Sequence, residues 1–227
     1  MKSEFELDTH FKWFLDKFGE PTTSTPVTNE TLQKFKGRLP SRLLEYWQEY
    51  GFCGFMDGFF WIVDPDDYED VLDAWIDDTF IVETDSFYVI GRNAFGDLYL
   101  WGEKTGYKYK ISTSNGWIIE KVGDENDIKK NNALRAIKMF FYKSAMKVEA
   151  FDFIDIDQEP LFGRCKELHN PLEYDEVFAF EPAIFLGGEP RIENITKVNI
   201  FAHLTMLASF GEKEILNQES LIAKAFD

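Results

Sequence analysis

Phe59-Phe60-Trp61-Ile62-Val63-Asp64-Pro65-Asp66-Asp67-Tyr68-Glu69-Asp70 decides how the chain is read. An apolar run of aromatic and β-branched residues stops at an Asp-Pro-Asp-Asp corner. Such a run, bounded by turn residues, predicts a buried strand. Asp64 suits a helix N-cap, where a side-chain oxygen accepts from the free N–H groups of the first turn. Pro65 suits the first helical position, which needs no N–H. Asp66 and Asp67 follow where the helix dipole favours negative charge. Tyr68, Val71, Leu72 and Trp75 then recur at i, i+3, i+4 and i+7 and give one apolar face. Glu69, Asp70, Asp73 and Asp77 occupy the other face. The expectation is a strand, a sharp corner and an amphipathic helix with a wholly acidic outer surface.

Working back toward the N-terminus, Gly51 closes a helix opened by Pro40, and Thr28 caps a short helix before it. Leu7, Phe11, Phe14, Leu15 and Phe18 form the stripe of a first helix. Ser3 and Glu6 are its expected capping box, and Gly19 its end. Working forward, residues 52–122 read mostly as strands of an antiparallel meander, with Asn115-Gly116 as a hairpin turn. The polar segment 123–127 marks the expected division into regions 1–124 and 125–227, packed as one compact unit. The second region opens on a helix over 128–146 with a basic outer face, from Lys129 and Lys130 to Lys143 and Lys147. A strand-like piece at 151–156 and a helix over 157–169 follow. Strands are expected at 173–180 and 183–186, then a last helix capped by Asn194, and the tail from 212 as a further helix. The fold class is α+β, a mainly antiparallel sheet flanked by helices and helical at both ends.

Composition narrows the function. A chain of 227 residues buries about 70% of its unfolded surface and needs no disulfide or metal to fold. The formal charge of −17 and pI of 4.6 argue against direct DNA or RNA binding, which requires Lys and Arg to neutralise phosphates. The same charge suits docking onto a basic partner. Cys53 and Cys165 lie far apart in no motif and read as free buried thiols of a reducing compartment. The acidic N-terminus is no signal peptide, and no apolar stretch is long enough to span a bilayer. A cytoplasmic protein without membrane attachment is expected.

The acids are unevenly placed. No Lys or Arg occurs between Arg42 and Arg92, an interval that contains the acidic helix. A second base-free stretch, 148–163, holds Asp152, Asp155 and Asp157. A solvated helix face with capping carboxylates is the plain reading of such runs; a docking surface for a basic partner is the sharper one. The Asp64-to-Asp70 spacing lacks the alternating acids, central Gly and terminal Glu of a calcium loop. His10, His169 and His203 stand in no catalytic motif, and Gly91 to Gly96 reads as a strand-connecting turn. No catalytic residue, cofactor or metal site is assigned.

Several motifs carry a resemblance. Phe18-Gly19-Glu20-Pro21, Leu39-Pro40, Tyr50-Gly51-Phe52, Trp61-Ile62-Val63-Asp64-Pro65 and Ala94-Phe95-Gly96-Asp97-Leu98-Tyr99-Leu100-Trp101 resemble the GAD-like domain family. Phe178-Ala179-Phe180-Glu181-Pro182-Ala183, Leu186-Gly187-Gly188 and Ile192-Glu193-Asn194-Ile195 resemble the C-terminal domain of Tdi-type immunity proteins. The whole is also similar to the SMI/KNR-type (SUKH) group. The resemblance implies a non-enzymatic immunity protein that binds and neutralises a basic DNase toxin of a type VI secretion system. It supplies no contact residues. On charge alone, Glu69, Asp70, Asp73 and Asp77 are the first candidates for toxin contact, and Asp152, Asp155 and Asp157 the second. An exposed Trp or Tyr at the patch centre is the expected anchor. The competing readings are a regulatory or scaffold module of the SMI/KNR kind without a toxin partner, and a metal-dependent hydrolase built on clustered carboxylates.

Overall fold

A computed structural model describes residues 5–224. The first region comprises α1 (Thr9–Phe18), β1 (Thr23–Thr25), α2 (Asn29–Phe35), α3 (Ser41–Tyr50), β2 (Phe52–Phe55), β3 (Phe60–Ile62), α4 (Glu69–Ile76), β4 (Phe87–Asn93), β5 (Leu98–Gly102), β6 (Gly106–Ser112) and β7 (Trp117–Glu120). The second comprises α5 (Glu125–Lys129), α6 (Ala133–Met146), α7 (Phe162–His169), β8 (Glu176–Phe180), β9 (Ile195–Asn199), α8 (Ile200–Ala208), β10 (Glu214–Leu216) and α9 (Gln218–Lys224). Among the described residues the main sheet runs β1-β2-β3-β4-β5-β6-β7-β10, antiparallel except for β10, which lies parallel to β7. β8 and β9 form a separate antiparallel pair. The α+β class and the antiparallel meander are as the sequence predicts.

The pleat of β3 separates two packing layers. Successive strand residues point to opposite faces. Phe60 packs edge-on against Phe14 of α1 and against Phe151. Trp61 turns the other way, toward Tyr174 and the guanidinium of Arg92, which lies 4.7 Å from its ring centroid. Gly54 of β2 sits under Trp61, and a Cβ there would stand 2.7 Å from the indole, so the position has room for no side chain. α1, α3 and α6 cover the Phe60 side, where Phe141 of α6 meets Phe11 and Phe14 at centroid distances of 4.9 and 5.2 Å. α4 and α8 pair with each other, with Tyr68 against Phe201 and the Trp75 indole N–H donating to the Leu204 carbonyl at 3.0 Å. One continuous core therefore draws on both regions of the chain.

Local differences from the sequence reading have local causes. Asp8 caps α1, accepting from the N–H groups of His10 and Phe11; the expected capping residue Ser3 lies outside the described residues. The helix expected over 128–146 is two, α5 and α6, broken where Asn131 adopts a φ of 57°. Residues 183–186 form a 3-10 turn instead of a strand, closed by the Leu186 N–H on the Ala183 carbonyl. Asn199, not Asn194, caps α8, because residues 195–199 are taken up in pairing with β8. α7 starts only at Phe162, since residues 155–159 are held in a turn described below. The piece at 151–156 contributes one isolated bridge, Ile154 to Pro160, and no strand. The tail supplies β10 before the expected helix α9.

Candidate functional site

The Asp64 corner is built as its residues dictate. The Asp64 carboxylate accepts from the Asp66 N–H at 3.1 Å, and Pro65 opens a 3-10 turn over 65–68 that leads into α4. Tyr174 ties the corner to the second region: its hydroxyl accepts from the Asp64 N–H and donates to Asp67 Oδ2 at 2.8 Å. Lys34 of α2 pairs with Asp66 at 2.6 Å. Burial pushes the Asp64 carboxyl up to about 6, only partly offset by the Asp66 N–H. These carboxylates close a helix start.

The four outward acids behave differently. Val71, Leu72, Trp75 and Ile76 are buried, while Glu69, Asp70, Asp73 and Asp77 are all exposed. Glu69, Asp73 and Asp77 stand at i, i+4 and i+8, the spacing at which like charges on a helix repel by about 0.2–0.5 kcal/mol per pair. Partial burial, then Asp77, Glu69 and Asp70 in turn, raise the Asp73 carboxyl above its usual range. Asp77 adds its charge at the C-terminal end of α4, where the helix dipole disfavours an anion. None of the four has an ion-pair partner among the described residues; the flanking Asp78 does, in Lys213 at 2.9 Å. Glu69 and Asp73 also line a small cavity of 120 Å³ shared with Lys34 and Arg38.

Apolar groups lie directly beyond these acids. Thr79 Oγ1 accepts from the Ile81 N–H and starts a 3-10 turn over Phe80–Glu83. The turn buries Ile81 and leaves Phe80 58% and Val82 41% exposed. No Trp or Tyr of α4 is available as the expected anchor, because Tyr68 and Trp75 face the core. Phe80 is the large apolar group beside the acids. The signal for it was present in Phe80-Ile81-Val82, but only the turn decides which of the three faces outward.

The second acidic stretch is organised largely inward. Asp152 Oδ1 accepts from the N–H groups of Phe153, Leu161 and Phe162 at 2.8, 3.2 and 2.8 Å, closing the start of α7. Asp155 is 3% exposed; its Oδ1 accepts from the N–H groups of Asp157 and Glu159, and its Oδ2 pairs with Arg164. The Arg164 guanidinium, with the Glu159 N–H next, holds the Asp155 carboxyl below its usual range. Asp155 is buried and Asp152 half-buried, and both carboxylates are engaged with the backbone. Asp157 alone of this set points to solvent.

Elsewhere the reactive groups are subdued. Cys53 and Cys165 are free and buried, and burial pushes the Cys165 thiol up to about 12, so neither is a ready nucleophile. Burial also lowers the pKa of His203, which favours its neutral form. Among the described residues no three His, Cys, Asp or Glu side chains are placed to hold a metal ion. No helix among them is long and apolar enough to cross a membrane.

Comparison with known proteins places these elements. The chain resembles the solved structure titled "Crystal structure of Atu4351 from Agrobacterium tumefaciens" with a TM-score of 0.77 over 92% of each chain. At 17% identity that likeness bears on the fold alone. No curated protein matched. Residues 9–115 match the GAD-like domain family, and residues 136–211 match the family described as "T6SS immunity protein Tdi1, C-terminal". Residues 9–115 are thus similar to a GAD-like domain, and residues 136–211 after them to the C-terminal domain of the type VI secretion immunity protein Tdi1.

Proposed function

We propose that this protein is an immunity protein that binds and neutralises a cognate type VI secretion toxin, a basic nuclease, in the cytoplasm of the producing cell. The observation that carries the reading is the row Glu69, Asp73 and Asp77, with Asp70, left without an ion-pair partner among the described residues on a chain matched to an immunity family. Like charges held at repelling spacing weaken the free helix, and a cationic surface laid over them turns that repulsion into attraction. A nuclease needs such a surface to hold phosphates. Phe80 and Val82 supply the apolar contact that charge alone lacks. Asp157, exposed beside Arg191, is a second and minor candidate contact. Binding and blocking need no catalytic group of this chain.

The two regions, 1–124 and 125–227, act in this reading as one body. The Tyr174 bonds to Asp64 and Asp67 and the Trp75 bond to Leu204 support this, because both fix α4 from the second region.

The test is co-expression of the chain with the product of the adjacent gene, scoring survival and co-purification. Survival and a stable complex are expected, with association slowing as salt rises. Normal killing in the presence of the chain would sink the reading and favour a scaffold module of the SMI/KNR kind.

A further inference from the structure

A cavity of 340 Å³ opens between β5, β6 and the end of β7 on one side and the C-terminal half of α6 on the other. Its floor is aromatic, formed by Tyr99, Tyr107, Phe140 and Phe151. Its rim is basic, with Lys110 from β6, Lys121 just after β7, and Lys143 and Lys147 from the end of α6. Four ammonium groups around one opening are unexpected in a chain of formal charge −17. Only Lys110 is matched, to Asp97 Oδ2 at 2.6 Å. Among the described residues no carboxylate comes within ion-pair distance of Lys121, Lys143 or Lys147. Asp124 acts on Lys143 at longer range.

Lys110 is thus tied to the buried Asp97, while Lys121, Lys143 and Lys147 make no ion pair among the described residues. Burial first, then the charges of Lys110 and Lys147, pull the Lys121 amine down to about 8 against the opposing pull of Asp97. A cation held under such strain in a cleft is the arrangement expected of a binding group and not of a structural one. The cavity volume lies at the lower end of the roughly 300–1,000 Å³ typical of small-ligand sites. That size suits a single small molecule, and the overall charge of the chain disfavours a polyanion.

We propose that this cavity binds a small aromatic phosphate monoester, of the size and chemistry of a nucleoside monophosphate. The phosphate lies between Lys121, Lys143 and Lys147, which together match its two negative charges. The planar ring rests on the Tyr99, Tyr107 and Phe140 floor, where flat apolar surface and ring edges favour it. The site is separate from the acidic face of α4 and stands or falls independently of the toxin reading.

Titration calorimetry on the full chain at low ionic strength tests it with three probes: adenosine 5′-monophosphate, inorganic phosphate and adenosine. The monophosphate is expected to bind at one site per chain, phosphate at least about tenfold more weakly, and adenosine undetectably. Lys121→Met and Lys143→Gln should each weaken the monophosphate by about tenfold or more. Lys121→Met should also melt no lower than the parent protein, which separates lost binding from lost folding. Lys129→Gln, on the neighbouring helix and outside the cavity, should bind normally. Affinity should fall as pH rises past about 8, where Lys121 loses its proton; the charged groups around it are Lys110, Lys143, Lys147, Asp97 and Asp124. No heat with the monophosphate at about millimolar concentration, or unchanged affinity in Lys121→Met, would overturn the site. Phosphate binding as tightly as the monophosphate would overturn the assignment of the aromatic floor to a ring.

Discussion

Two of the chain's base-free acidic stretches, that of α4 and residues 148–163, are used by the fold in opposite ways. On α4, Glu69, Asp70, Asp73 and Asp77 face water with no ion-pair partner among the described residues. In the stretch after α6, Asp152 and Asp155 turn inward and take up five backbone N–H groups and Arg164. The difference lies in the local backbone. A regular helix satisfies its own amides after the first turn, so acids on its outer face have no donors to accept from. An irregular turn leaves amides open, and a short carboxylate nearby takes them. Acidic density therefore marks a docking surface only where the backbone is already satisfied.

Neutralising the helix acids together, as Glu69→Gln, Asp70→Asn, Asp73→Asn and Asp77→Asn, probes that difference most strongly. Association with a basic toxin should slow by about 10–100-fold at low salt and converge with the parent at high salt. Stopped-flow rates across a salt series measure this, and Tm should hold or rise as the repulsion is relieved. Equal rates at low salt would remove α4 from the interface and leave the two stretches alike.

Asp152→Ala is the converse. It removes the acceptor of the Phe153 and Phe162 N–H groups, while the Leu161 N–H keeps the Phe153 carbonyl at 2.9 Å, so stability should fall by about 2 kcal/mol, seen as a Tm lower by about 4–8 °C. Toxin association at a temperature where the variant is folded should not change. A stable variant that loses toxin affinity would reverse the roles assigned to the two stretches.

Phe80→Ser refines the first result by separating apolar contact from steering. The expected loss is about 1–2 kcal/mol of toxin affinity, carried by a faster off-rate, with Tm unchanged. A change confined to the on-rate would show that Phe80 lies outside the contact.

The smallest effect concerns the corner. Asp64 has its folded pKa raised to about 6, above its unfolded value. Between those values the folded state holds a proton that the unfolded state has released, so stability declines as pH rises from about 4 through 6. Asp64→Asn keeps the cap and removes the titration. Denaturant melts of the variant should show a flatter pH profile over that window. An unchanged profile would place the Asp64 carboxylate in water with the other acids of α4.

Much of this was legible beforehand because it depends on near neighbours in sequence. The helix spacing of Val71, Leu72 and Trp75, the cap at Asp64, the stops at Gly19 and Gly51 and the meander through 52–122 all follow from local periodicity and turn chemistry. The choice of Asn199 over Asn194 as the α8 cap was not legible. Both residues cap well, and the decision rests on whether β8 is present to pair with residues 195–199. The same holds for Asp152 and Asp155, whose composition matches that of α4 and whose direction depends on where α7 begins.

The sequence by itself determined the acidic face of α4, since a helix with one apolar side must bury it and so expose the other. It also determined the strand-rich first region and the family motifs. Only the tertiary structure decided that Phe80 stands beside those acids, that two of the second group of acids are spent on amides, and that lysines distant in the chain, Lys110, Lys121, Lys143 and Lys147, share one cavity. Periodicity fixes which side of an element faces the core. Which elements then meet, and which charges find a partner there, is settled only when the whole chain packs.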